Sequence, residues 1–152
     1  MGLARSSVYQ YFGSGAAIIA AIIEDSFPRS NAQMSAALAG LEDPREVMAQ
    51  YVRETIRQAA AGAHRPAAAL AGVELPPECR DRLDALHREQ IAPLHEALVR
   101  LAVPDVALAA RLTAGLLEAA MGAIEAGAPA DAVTSSCLRM LDALVADPTP
   151  GP

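Results

Sequence analysis

No lysine occurs in the sequence, so all twelve of its cationic side chains are arginines. Beside so much alanine, that bias reads as the mark of a GC-rich bacterial genome and carries no functional weight. Cysteine is nearly absent too. Cys79 and Cys137 lie far apart, with no CxxC spacing and no flanking histidine pair, which excludes a disulfide framework and a zinc knuckle. We expect reduced, partly buried thiols. No apolar run approaches the roughly 18 residues that a membrane span needs; Ile18 to Ile23 is short and is followed by Glu24 and Asp25. The N-terminus lacks the charged, apolar and small-residue regions of a secretory signal, so a cytoplasmic location and no membrane partner are expected. There is no G-x-S-x-G, no glycine-rich phosphate loop and no H-E-x-x-H. Without them nucleophilic, phosphoryl-transfer and zinc-hydrolase chemistry have no support, and neither an enzyme nor a cofactor is expected. Metal binding is not expected either. His87 and His95 would point about 80° apart on one helix, and His64 falls in a loop. Glu24-Asp25 and Glu42-Asp43 stand at helix ends, where solvation or capping explains them. The net charge of −6 argues against coating nucleic acid over the whole surface, so any DNA contact must be local.

What remains is an apolar, helix-forming chain. Its 152 residues, 53% of them apolar, suffice for one domain, or one domain and a fragment, burying roughly two-thirds of its unfolded surface. Alanine, leucine, arginine and glutamate dominate, and β-branched residues nowhere alternate with polar ones, so the expected class is all-α. Gly13-Ser14-Gly15 separates a short opening segment from an apolar helix starting near Ala16, which Pro28 should kink or interrupt. Asp43-Pro44 caps and opens a helix to about Ala61. An alanine-rich piece follows at about 66–73. Pro76-Pro77 opens a helix to about Ala102 with Pro93 inside it. Pro104 opens another, ending near Gly127, and Pro129 opens the last, ending near Ala146. Residues 147–152 read as a disordered tail.

Placing residues at 100° per position defines the faces. Between Pro77 and Ala102 the apolar stripe is Leu83, Leu86, Ile91, Leu94, Leu98 and Leu101, with His87 and Gln90 inside it and His95 near its edge. Glu78–Arg82, Asp84–Arg88 and Glu96–Arg100 pair at i,i+4 on a solvated face. The Pro104–Gly127 helix is apolar on two sides. One carries Leu108, Leu112, Gly115, Ala119, Gly122 and Ala126, the other Leu117, Met121 and Ile124, with only Arg111, Glu118 and Glu125 charged between them. Such a helix needs two covers. The chain's own core is one, and a second copy is the expected other, since the small residues allow close approach. The alternative is a buried central helix in a monomer. Val133, Cys137, Met140, Leu141 and Leu144 give the last helix a broad apolar face able to join the same contact. A homodimeric four-helix interface through Leu112, Gly115, Ala119, Gly122, Cys137, Met140 and Leu144 is therefore expected.

Three of the five aromatics, Tyr9, Tyr11 and Phe12, crowd into "RSSVYQYFGS", residues 5–14. As a helix from about Ala4 to Phe12, this segment places Val8 and Phe12 one turn apart, with Leu3 just before them, as an apolar anchor. Arg5, Ser6, Ser7 and Gln10 point the other way, with the two tyrosines on the flanks. Short, polar and rich in hydrogen-bonding groups, that face suits base edges and phosphates in a major groove.

"GLARSSVYQYFGSGAAIIAAI" resembles the recognition-helix signature of the tetracycline-repressor (TetR) family of bacterial regulators. The match covers residues 2–23: a G-V-S-like turn, a short helix ending in an aromatic Y-x-Y-F run, a small linker, then an apolar helix start. The resemblance implies an all-α, TetR-like regulator. Residues 1–23 would be the remnant of an N-terminally incomplete helix-turn-helix domain, and residues 24–146 a helical ligand-binding and dimerisation core. It implies that Arg5, Ser6, Ser7 and Gln10 face bases, that Tyr9 touches backbone or thymine methyls, and that Tyr11 meets phosphate or packs. Three departures matter. The family's first two helices would have to lie upstream of Met1, Ser14-Gly15 stands where S-K is usual, and Ala4 replaces the capping Ser or Thr. We expect coding sequence upstream of Met1; the alternative is a regulator that has lost DNA binding.

The family's small molecules bind in the helices after the head. Inward-facing polar or soft residues are the candidates here: Phe27, Met48, Tyr51, Thr55, His87, Gln90 and Met121, with Met34 nearby. Tyr51 and His87 stand first, and the set suits a flat, mostly apolar or aromatic ligand. The expected function is a ligand-responsive, DNA-binding transcriptional regulator, most simply a repressor acting at a double-stranded operator. The alternative is a dimeric small-molecule-binding or interaction module without DNA binding.

Overall fold

The computed structural model describes residues 14–63 and 77–146, and among these every regular element is a helix. The five are α1 (Ser14–Leu38), α2 (Pro44–Ala60), α3 (Pro77–Arg100), α4 (Val106–Glu125) and α5 (Ala130–Val145). The opening segment, residues 1–13, the alanine-rich piece at 66–73 and the tail at 147–152 lie outside the described residues.

Punctuation set most of the boundaries. Asp43 caps α2, its carboxylate accepting from the Arg45 amide at 2.9 Å, and Pro44 takes the first helical position, where its missing N–H is no loss. At the other end Gly62 adopts φ +81°, which lets the Ala63 amide reach back to the Gln58 carbonyl at 3.0 Å. The start of α4 differs from expectation. It begins at Val106, not Pro104, because Asp105 supplies the cap and accepts from the Leu108 amide at 2.8 Å.

Pro28 does not end α1. The helix runs through it to Leu38, so the interruption expected there does not occur. A proline at this position strips the Glu24 carbonyl of its helical donor. Side chains bond the carbonyls on either side: Ser26 Oγ donates to Ile23 at 3.2 Å and Arg29 Nε to Asp25 at 3.3 Å.

The central helix is α2, which packs against all four others. It buries Met48, Tyr51, Val52 and Ile56 among apolar neighbours, and Glu54, Thr55 and Gln58 as well. Around it α1 packs on α3, α3 on α4 and α4 on α5. Met34, Leu94, Leu98, Leu117 and Leu141 complete the core from the surrounding helices. The alternative of α4 as a buried central helix is thereby overturned: only one of its sides, Ala109, Thr113, Leu117 and Ala120, is buried. α4 is the one helix among the described residues long and apolar enough to cross a membrane, by length and composition only.

Candidate functional site

A cleft of about 250 Å³ opens along α1, lined by Ile23, Ser26, Phe27, Arg29, Ser30 and Gln33, with Ala63 from the end of α2 and Gln90 from α3. All six lining residues of α1 lie within five positions of Pro28, and Gln90 lies one turn before Pro93. Behind Gln90, the Tyr51 hydroxyl donates to that residue's main-chain oxygen at 3.1 Å.

The inner wall is a hydrogen-bonded network joining three helices. The Ser30 hydroxyl donates to Gln58 Oε1, and the Gln58 amide donates to the Ser30 carbonyl at 3.3 Å and to Glu54 Oε1 at 2.8 Å. Arg57 grips the same carboxylate bidentately at 2.7 and 2.6 Å, and Nη2 also donates to Gln33 Oε1 at 3.3 Å. Gln90 Nε2 closes the ring with a long 3.4 Å bond to Ser30 Oγ. The Arg57 hydrogen bonds hold the Glu54 carboxyl below the usual carboxylate range; burial opposes this, and the Gln58 amide and the guanidinium charge add to it. Among the described residues one buried side-chain acceptor stays unsatisfied. Asn31 Oδ1 has no partner, although its amide nitrogen donates to the Leu86 carbonyl at 3.5 Å.

Of the seven ligand candidates, the structure brings only Phe27 and Gln90 to this cleft. Met48, Tyr51 and Thr55 are buried in the core around α2, where the Thr55 hydroxyl spends its proton on the Tyr51 carbonyl at 2.9 Å, and none of the three lines the cleft. His87, placed by periodicity inside an apolar stripe, is exposed, as is Ile91, because only one side of α3 meets α1, α2 and α4. Met121 is half-buried and does not line the cleft. Missed were Ser30, Gln33, Glu54 and Gln58. For Glu54 and Gln58 a signal is present: Tyr51, Glu54, Thr55 and Gln58 follow each other at i, i+3, i+4 and i+7 on one side of α2.

A second feature is the outer side of α4. Leu108, Leu112, Gly115, Ala119, Gly122 and Ala126 are all exposed, at alternating spacings of four and three. That is the 3.5-residue period of a helix–helix seam. Leu108 is 49% and Leu112 51% exposed, and Met140 on the adjoining α5 is 60% exposed. A Cβ added at Gly115 or Gly122 would meet nothing within 4 Å. Two of the residues expected at the dimer contact are placed elsewhere. Cys137 is buried in the chain's own core, where desolvation raises its thiol pKa, and Leu144 packs half-buried against that core. The broad apolar face of α5 is used mostly inward.

The DNA-facing candidates Arg5, Ser6, Ser7, Tyr9, Gln10 and Tyr11 lie outside the described residues. Among the described residues no group of three or more His, Cys, Asp or Glu side chains could hold a metal ion. No protein-family model, no curated protein and no solved structure matches the chain significantly.

Proposed function

We propose that the protein is a homodimeric, ligand-responsive, DNA-binding transcriptional regulator of TetR-like organisation, acting as a repressor. The observation that carries this reading is the continuity of α1. Among the described residues it runs unbroken from Ser14 to Leu38, following in sequence the stretch that resembles a recognition helix, and its middle lines the cleft. Such a helix is about 37 Å long. A ligand seated against Phe27 and Ser30 would touch the same rigid rod that leads to the reading head, so a small tilt at the cleft becomes a larger displacement at its N-terminal end. Two copies joined through the α4 seam, with Met140 beside it, would present two heads. Their spacing must match half-sites roughly 34 Å apart, so a ligand that favours another spacing lowers DNA affinity, and DNA lowers ligand affinity by the same factor.

The test is a fluorescence-anisotropy titration against a duplex from the gene's own upstream region, at low and moderate salt. It uses the chain as given and the chain extended by any in-frame coding sequence before Met1. Salt-dependent binding by either form supports the regulator. No binding by either form, even at low salt, overturns it and leaves the dimeric small-molecule-binding module.

A further inference from the structure

We propose that the α1 cleft takes an uncharged ligand of one or two fused rings bearing a hydroxyl or amide-like group, and that the side-chain amides of Gln33 and Gln90 read that group. The inference deepens the ligand-responsive reading above and rests on it for biological meaning, though not for its test.

Size comes first. A cavity of roughly 150 Å³ accepts benzene, and this cleft, at about 250 Å³, accommodates a ring system somewhat larger. Ile23, Phe27 and Ala63 give it an apolar surface on which a flat ring can lie.

Charge is decided by what the neighbouring ions already do. Arg29 lines the cleft, but its guanidinium is hydrogen-bonded to the Asp25 carboxylate and its Nε to the Asp25 carbonyl. Arg57, behind Gln33, is held bidentately by Glu54. Glu24, the other carboxylate of this turn, faces Arg82 at 3.5 Å. An anion entering the cleft therefore meets a guanidinium whose charge Asp25 already balances, at the surface of a chain of net charge −6. A cation finds no carboxylate among the lining residues. Neither sign gains an unpaired counter-charge to offset its lost hydration.

The neutral groups are different. Ser26 and Ser30 spend their hydroxyl protons on Ile23 and Gln58. Gln33 uses only its amide oxygen, as acceptor for Arg57, which leaves its NH₂ as a donor. Gln90 uses only its NH₂, toward Ser30, which leaves its oxygen as an acceptor. The cleft thus keeps neutral donors, on the Gln33 and Gln90 NH₂ groups, beside neutral acceptors, Gln90 Oε1 and the serine hydroxyl oxygens, and Gln33 as donor with Gln90 Oε1 as acceptor is the complement of a hydroxyl or a cyclic amide.

Three probes with one ring skeleton test this at pH 7 by calorimetry and ligand-observed NMR: 2-naphthol, 2-naphthoate and 2-naphthylmethylammonium. The neutral probe should bind one per chain, with each charged probe weaker by about tenfold or more. Gln33→Leu and Gln90→Leu should each weaken 2-naphthol by roughly three- to tenfold, one neutral hydrogen bond's worth. Gln33 is exposed, so its variant keeps the fold, and far-UV circular dichroism checks both. Equal or tighter binding of naphthoate or the ammonium probe overturns the proposal. So does failure of 2-naphthol to bind, or binding that neither glutamine variant weakens. Because no DNA enters the assay, neutral-selective binding without operator binding sinks only the regulator reading, and operator binding without neutral selectivity sinks only this one.

Discussion

The Tyr51 hydroxyl reaches across from the central helix α2 to the Gln90 carbonyl of α3, 3.1 Å away, and ties the core to the back of the cleft. Burial of that phenol pushes its pKa up from 10.0 to about 12. The folded chain therefore keeps the proton that the unfolded chain gives up. Stability from this group is complete below pH 10 and is lost as pH rises from 10 toward 12. Over that window the loss amounts to about 3 kcal/mol. Urea unfolding followed as a function of pH should show this alkaline limb in the wild type and not in Tyr51→Phe. At neutral pH the variant should lose about 1 kcal/mol, one hydrogen bond's worth.

Glu54 gives the opposite dependence. Its carboxyl, held by Arg57, ionises below the ordinary 4.5, so its contribution is present above that pH and disappears as pH falls through the lowered value. Acid unfolding should lose part of its pH dependence in Glu54→Gln. At pH 7, Glu54→Ala should be less stable by about 1–3 kcal/mol, since Arg57 and Gln58 lose their shared acceptor. Chemical denaturation at the two pH values checks both statements.

The seam on α4 can be tested without disturbing the fold of one chain. A Cβ added at Gly122 meets nothing within 4 Å inside the protomer, and the position is exposed. Leucine is also a better helix former than glycine, by roughly 0.8 kcal/mol. Gly122→Leu should therefore leave helicity intact and raise protomer stability while blocking close approach of a second copy. Sedimentation velocity should show a dimer for wild type and a monomer for Gly122→Leu and for Leu112→Glu, at a residue already 51% exposed. A wild-type monomer would sink the dimer reading.

After α3 the chain turns through Ala102, the single non-glycine residue with positive φ (52°) among those described. The left-handed conformation costs an L-residue with a β-carbon about 1–2 kcal/mol that glycine avoids. Ala102→Gly should raise thermal stability by roughly 0.5–1 kcal/mol, net of the greater entropy of unfolded glycine. Differential scanning calorimetry reads this directly. Comparable turns after α2 and α4 already use Gly62 and Gly127.

What the sequence determined by itself was local. Helix class, element order and most boundaries follow from caps and breakers whose effect spans a turn or two: Asp43 with Pro44, Gly62, Gly127, Pro129. The outward apolar side of α4 was also legible, because a helix apolar on two sides announces itself in periodicity alone. Tertiary structure decided which helix stands in the middle. α2 carries more polar residues than α4, yet Glu54 and Gln58 can be buried because Arg57 and Ser30 satisfy them, and no periodicity reveals a partner 28 positions away. The same reason moved the cleft. Tyr51, Thr55 and Met48 faced inward as expected, but inward meant into packed core, while the open space lies beside Pro28, where Gln90 arrives from another helix. Periodicity tells which side of a helix is apolar; only packing tells whether that side meets a neighbour, a cavity or water.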